Sequence, residues 1–294
     1  MKRFNSILLG LTVGCACAIS LHATDTIYAY DTWADGNRTS GTPGGGGDTP
    51  WYASTGTALS GSMVATLPTG SLTFLTYFAA DGSPITLAPG GEIKVTWTFT
   101  PFGVNANNTS QNFALGVVDT PTAALASADN FTTASAVYSG YSMYSNMGRT
   151  LGNGNPWLLK KWSGITSDFL GHQGNWTPLV NGATSGQTGY TPGVSYTYVF
   201  DAVRDASTGN LIINSTMTGT GLNGVGFMTT TYTDTTPAGY TFDTFCVRPA
   251  GSASTASSLN TTFFEAEYIV PEPSTFMLAG LGLLGLVGLR RARR

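Results

Sequence analysis

The chain has 294 residues, only 10% of them charged, with 13 Lys and Arg against 16 Asp and Glu for a formal net charge of −3. Residues 24–270 hold seven of those bases and fifteen of the acids, a balance of −8. So sparse and acidic a surface offers little to phosphates or anionic headgroups, and nucleic acid is excluded as a partner.

In chain order, Lys2 and Arg3 form a charged start, residues 7–21 a short apolar run, and Leu21, His22 and Ala23 a cleavage site before Thr24. That order predicts a signal peptide over residues 1–23 and export by the general secretory route. A lipoprotein reading through Cys15 meets Thr12 where a large aliphatic residue is expected. Cys15 and Cys17 leave with the signal peptide, so Cys246 has no partner for an intramolecular disulfide. His172 is then the only histidine, which removes His-rich metal sites and leaves any Ser-His-Asp triad dependent on one residue.

Residues 24–269 form one large domain's worth of chain. Their apolar residues recur with period two, not 3.6. Ile93, Val95, Trp97 and Phe99 share one face of residues 91–101; Val194, Tyr196, Tyr198 and Phe200 repeat the pattern, as do Phe242, Thr244 and Cys246. Further strands are expected within residues 62–67, 72–80, 113–119, 136–144, 211–218 and 263–270. Residues 205–210 read as a hairpin turn, with Gly209 or Asn210 at positive φ. Many strands, Gly/Thr/Asn-rich turns and little helical periodicity predict an all-β fold, a single β-sandwich or jelly roll.

Candidate chemistry is thin. Glu265 and Glu267, at i and i+2, share a strand face, and a carboxylate pair is the apparatus of glycoside hydrolysis. A secreted polysaccharide hydrolase or lyase is therefore the alternative reading. The same alternation turns Phe264, Ala266 and Tyr268 inward and leaves both glutamates on a solvent face, and no catalytic residue is assigned. Asp201 and Asp205 bracket the hairpin, and Asp119, Asp129 and Asp234 sit in loops. Calcium takes about six to eight oxygens and no Asp-x-Asp-x-Asp run supplies them, so no cofactor or metal ligand is assigned and Ca²⁺ is not indicated. Trp157, Trp162 and Trp176 cluster with Tyr141, Tyr144 and Tyr190 in a Gly/Asn-rich stretch of poor alternation. Two readings stand: loop-borne indoles stacking on a sugar, or staples of satellite cores.

The end of the chain is the most specific segment. Pro271, Glu272 and Pro273 precede an apolar run over residues 276–289, and Arg290, Arg291, Arg293 and Arg294 close it. Fourteen helical residues reach about 21 Å, which the preceding residues and snorkelling arginines extend towards a bilayer core of about 30 Å. The positive-inside rule puts the arginines in the cytoplasm and the preceding domain outside it. Residues 270–294 closely resemble the PEP-CTERM sorting signal of Gram-negative bacteria. The resemblance implies a membrane-anchored precursor, an exosortase-type protease-transpeptidase as partner, and a mature form at the cell surface or in an exopolysaccharide matrix. A permanent C-terminal anchor is the rival reading, but an anchor has no need of Pro-Glu-Pro.

Residues 35–39 (Asp-Gly-Asn-Arg-Thr), Trp51 and Tyr52, residues 242–245 and Arg248 also resemble β-sandwich proteins that carry this signal. The hairpin over residues 196–217 is similar to concanavalin A-like (laminin-G-like) sandwiches. The implied expectation is a non-catalytic structural or glycan-binding domain.

Overall fold

The computed structural model describes residues 25–122, 125–132, 138–164, 170–171 and 173–270. In chain order its strands are β1 (Thr26–Asp31), β2 (Trp51–Ala53), β3 (Val64–Thr66), β4 (Phe74–Tyr77), β5 (Ile85–Thr86), β6 (Glu92–Phe102), β7 (Phe113–Asp119), β8 (Ser139–Ser145), β9 (Trp157–Trp162), β10 (Trp176–Asn181), β11 (Tyr196–Arg204), β12 (Leu211–Thr218), β13 (Phe227–Asp234), β14 (Thr241–Phe242), β15 (Thr244–Pro249) and β16 (Ser258–Ile269). They build two seven-stranded sheets and a small ribbon of β14 with β5. The first sheet runs β1-β16-β6-β11-β12-β13, with β3 beside the start of β16; the second runs β10-β9-β8-β7-β15-β4-β2. Neighbours pair antiparallel, as at β16 with β6, β11 with β12 and β7 with β15. The two sheets share one core, so the chain is a β-sandwich.

Alternation explains why the sheets stack. Ile93, Val95, Trp97 and Phe99 of β6 are fully buried, and the Trp97 ring stacks on Phe99 at 4.3 Å and meets Phe245 of the second sheet at 5.8 Å. Trp51 of the second sheet meets Phe264 of the first edge-on at 5.1 Å. Burying each such ring contributes about 1.5–3 kcal/mol, which fixes the register, because a one-residue slip would turn the whole row to solvent. The β11–β12 hairpin closes as expected. Asp205 Oδ1 accepts the Ser207 and Thr208 N–H groups at 2.9 and 2.7 Å, and Gly209 takes the positive φ of 72°.

Two expectations are corrected. Residues 157–162 and 176–181 are paired strands, not aromatic loops. A second cluster covers the outer side of the second sheet, built from Leu75, Tyr77, Ala114, Val118, Tyr138, Tyr144, Trp162, Leu170, Trp176 and Cys246. With both of its faces covered, β9 has Leu159 and Lys160 consecutively buried and shows no alternation. Cys246 is buried, but in this outer cluster, whereas Phe242 and Phe245 belong to the inner core. The shared parity fails because Asp243 separates β14, which pairs with β5, from β15, which pairs with β4 and β7.

No helix among the described residues is long and apolar enough to cross a membrane. Residues 1–23, expected to be a signal peptide, and the segment over residues 276–289 lie outside the described residues.

Candidate functional site

On β16, Glu265 and Glu267 lie on the outer face of the first sheet, while Phe264 and Ala266 are fully buried beneath. Glu267 Oε1 accepts a hydrogen bond from Lys94 Nζ at 2.7 Å, and Lys94 stands in register with Asp201 across β11. Burial pushes the carboxyls of Glu265, Asp201 and Glu92 up, with Glu267 adding to the effect on Glu265 and Asp201 and Asp201 adding to that on Glu92. The pair is thus part of a surface row around one lysine. One of its carboxylates is already tied to an ammonium, a poor starting point for a nucleophile or proton donor.

The three candidate indoles are interior. Trp157 is 0% exposed, faces the inner core, meets Tyr198 edge-on at 5.9 Å and donates from Nε1 to Ser215 O at 3.3 Å. Trp162 and Trp176, 8% and 2% exposed, meet each other edge-on at 5.0 Å in the outer cluster. Tyr141, Tyr144 and Tyr190 are buried too. None of the three tryptophans offers the open ring face that stacking on a sugar needs, and the platform expected at these residues is corrected to a set of packing staples. His172 lies outside the described residues.

The open surface with recognisable chemistry is the outer face of the first sheet. Strand parity turns Thr96, Thr98 and Thr100 of β6, Thr197 of β11, Thr216 and Thr218 of β12, and Thr229, Thr231 and Thr233 of β13 to that side. Their hydroxyls pair sideways across strands: Thr98 with Thr197 at 3.0 Å, Thr216 with Thr229 at 2.8 Å, and Thr231 donating to Asn214 Oδ1 at 2.8 Å. Exposed rings stand on the same sheet: Tyr30, edge-on to Phe263 at 5.5 Å, and Phe102 and Phe227. Strands about 4.8 Å apart and same-face residues about 6.6 Å apart make this a repeating field of hydroxyls and methyls. Such a field can exchange hydrogen bonds with a hydroxyl-rich ligand and offer it rings to stack on. Attention to charges and tryptophans passes over it. The available signal was the Thr-x-Thr spacing at residues 96–100 and 229–233.

Among the described residues no group of three or more His, Cys, Asp or Glu side chains is assembled to hold a metal. A small cleft, partly open to solvent, lies over the second sheet between Tyr144, Leu170 and Arg248.

Asp243, 7% exposed, is the most perturbed of the buried carboxyls. Burial pushes it up to about 7, the Thr244 and Thr120 hydrogen bonds offset part of that, and Asp119 and Asp81 add to it. Tyr77, Tyr138 and Cys246, the other titratable groups near it, stay neutral. A native carboxyl titrating above its unfolded value of 3.8 favours the protonated fold. Its stabilisation is complete below that unfolded value and is lost as pH rises towards 7, at about 1.4 kcal/mol per pH unit. Asp129, hydrogen-bonded by Arg38, and Asp234, where bonds from Lys161, Thr236 and Tyr141 outweigh burial, are held below the usual range. Their contributions are lost only on acidification. Denaturation midpoints in urea should therefore fall from pH 5 to pH 8, and Asp243→Asn should flatten that fall. A midpoint that rises over this range would contradict the assignment.

Residues 270–294 match the PEP-CTERM protein-sorting motif. No curated protein matches the chain by sequence. Solved structures similar to it include arcelin-5, a lectin-like defence protein from Phaseolus vulgaris, at 12% identity and a TM-score of 0.44 over 84% of this chain and 99% of that one. The VIP36 exoplasmic/lumenal domain in its Ca²⁺/Man2-bound form is similar at 12% identity and 0.45, over 79% and 85%. The potassium-bound carbohydrate recognition domain of Emp46p is similar at 9% and 0.41, over 70% and 82%. The sorting motif makes the chain an exported protein, anchored in the membrane until it is cut.

Proposed function

We propose that the chain is a precursor cut at its Pro271-Glu272-Pro273 motif by an exosortase-type protease-transpeptidase and delivered to the cell surface or the exopolysaccharide matrix. Residues 1–23 are the signal peptide, residues 24–269 the working domain and residues 270–294 the sorting signal. Arg290, Arg291, Arg293 and Arg294 hold the C-terminus in the cytoplasm until the cut. The observation that carries this reading is the sorting motif at residues 270–294.

In this reading the sandwich works without catalytic residues or a catalytic cofactor, as a structural, glycan-associating component. Its contact surface is the threonine face with Tyr30, Phe102 and Phe227. That face suits neutral sugars, which present hydroxyls and apolar C–H faces. A glycan array probed with the processed protein tests it. Retention of a glycan, weakened by Phe227→Ala with the melt unchanged, is the expected result. Shortening of the glycan would instead establish the hydrolase or lyase alternative.

A further inference from the structure

The first and last strands of the domain finish at one corner of the first sheet. β1 and β16 lie antiparallel, and Thr26, the first residue of β1, is the Cα partner of Tyr268, the last but one of β16. On its other side Ile269 pairs with Glu92 of β6. The Glu92 carboxyl is pushed up by burial and by the charges of Asp201, Glu267 and Asp25, so Asp25 and the end of β16 share a neighbour. Tyr268 is anchored there: its ring packs on the core and its hydroxyl accepts the Ala88 N–H at 3.3 Å. Asp25 and Val270, the next residues outward, are exposed.

A peptide bond from the sorting motif to Thr24 would join the two strands through Val270, one to three residues of Pro271-Glu272-Pro273, Thr24 and Asp25, four to six residues in all. Connections of that length are ordinary between strands, and paired Cα atoms only about 4.5–5.5 Å apart need no more. The domain's amines also narrow the choice of acceptor. Residues 24–270 hold three lysines. Lys94 is bound by Glu267 at 2.7 Å and Lys161 by Asp234 at 2.8 Å, while Lys160 is 4% exposed with its ammonium over the Tyr144 ring. The amine that remains is the α-amine that removal of residues 1–23 creates on Thr24. With an ordinary pKa of about 7.7–8.0, about a tenth of it is neutral at pH 7, against about one in 2,500 of a lysine amine near 10.4.

We propose that transpeptidation at the sorting motif uses Thr24 of the same chain as an acceptor, so that part of the processed protein leaves the membrane as a closed ring. The inference rests on the processing reading above. In the first step the enzyme's nucleophile adds to a carbonyl of the motif, the peptide bond to the tail breaks, and the tail's nitrogen leaves with a proton. In the second, the Thr24 nitrogen adds to the acyl carbon and a C–N bond forms. The enzyme's nucleophile leaves with the proton that the amine gives up. One peptide bond replaces another, so the step needs no oxidant, reductant or nucleotide. An amine tethered this closely competes with amines of other molecules at an effective concentration on the order of millimolar. Closure also secures β1, an edge strand at a chain end where fraying concentrates, by making it one arm of a hairpin with β16.

The test is intact mass, α-amine labelling and tandem spectra of digested peptides, applied to wild-type protein recovered from the surface and matrix of its host. The expected result is a component one water lighter than the linear chain of the same residues, without a labelled α-amine. Its digest should hold a peptide that joins a residue of the motif to Thr24. This component should also melt above the linear one, because closure removes freedom from the unfolded chain. Processed chains that are all linear, with a free α-amine at Thr24, would overturn the ring and leave the sorting reading standing. A junction at a lysine, or at Thr24 of a second copy with doubled mass, would overturn it in the same way. Recovery only of chains that keep Arg290–Arg294 would overturn both.

Discussion

Trp157→Ala should lower the stability of the domain by about 3–5 kcal/mol, the scale of removing a fully packed aromatic from a core. The indole is completely buried, meets Tyr198 of the opposite sheet edge-on, and its N–H is satisfied by the Ser215 carbonyl. Alanine therefore opens a cavity between two sheets and strands an acceptor at once. Trp162→Ala and Trp176→Ala should each be costly too, since those rings close the outer cluster against one another and against Tyr138 and Tyr144. Trp97→Ala, at the centre of the inner core, is the control and should be severely destabilising. Urea unfolding of the four variants checks this. A variant at residue 157, 162 or 176 within about 0.5 kcal/mol of wild type would behave as a surface substitution, and would restore an exposed indole as a stacking candidate.

Arg38→Ala should cost a similar amount, about 3–5 kcal/mol, through electrostatics instead of volume. The guanidinium side chain is 8% exposed and pairs with Asp129, Nη2 to Oδ2 at 2.5 Å and Nη1 to Oδ1 at 3.1 Å. It also donates to Leu59 O from Nε at 3.1 Å and to Trp51 O. Asp129 in turn accepts the Ala53 N–H at 3.0 Å, so one side chain ties the loop after β1, strand β2 and the loop near residue 129 together. Alanine leaves a partly buried carboxylate and two carbonyls without their donor. Arg38→Lys should recover little, because an ammonium cannot reproduce the planar fork that serves a carboxylate and two carbonyls together. A lysine variant as stable as wild type would show that charge, not geometry, matters there.

The legibility of these features in the sequence follows burial. β6 was readable because one face is fully buried and the other wet, which writes period two directly into hydropathy. The same holds for the β11–β12 hairpin, where Asp205 and Gly209 add turn chemistry. β9 was unreadable for the opposite reason: Leu159 packs inward while the next residue, Lys160, is covered on the outer side with its ammonium 4.2 Å from the Tyr144 ring centroid. A lysine in a buried position erases the pattern. β13 failed on composition, since Thr229, Thr230, Thr231 and Thr233 leave only Met228 and Tyr232 to mark the inner face. The sorting signal lay at the other extreme, because rigid prolines, an apolar run and terminal arginines follow from residue types alone.

Delivery is the central claim, and the mass of the mature protein tests it most directly. Intact-mass and terminal-peptide spectrometry of the protein recovered from the surface or matrix of its host should find a start near Thr24 and no residues 276–294. Recovery there of a form that still carries Arg290 to Arg294 would contradict processing at the sorting motif and identify the segment as a permanent anchor.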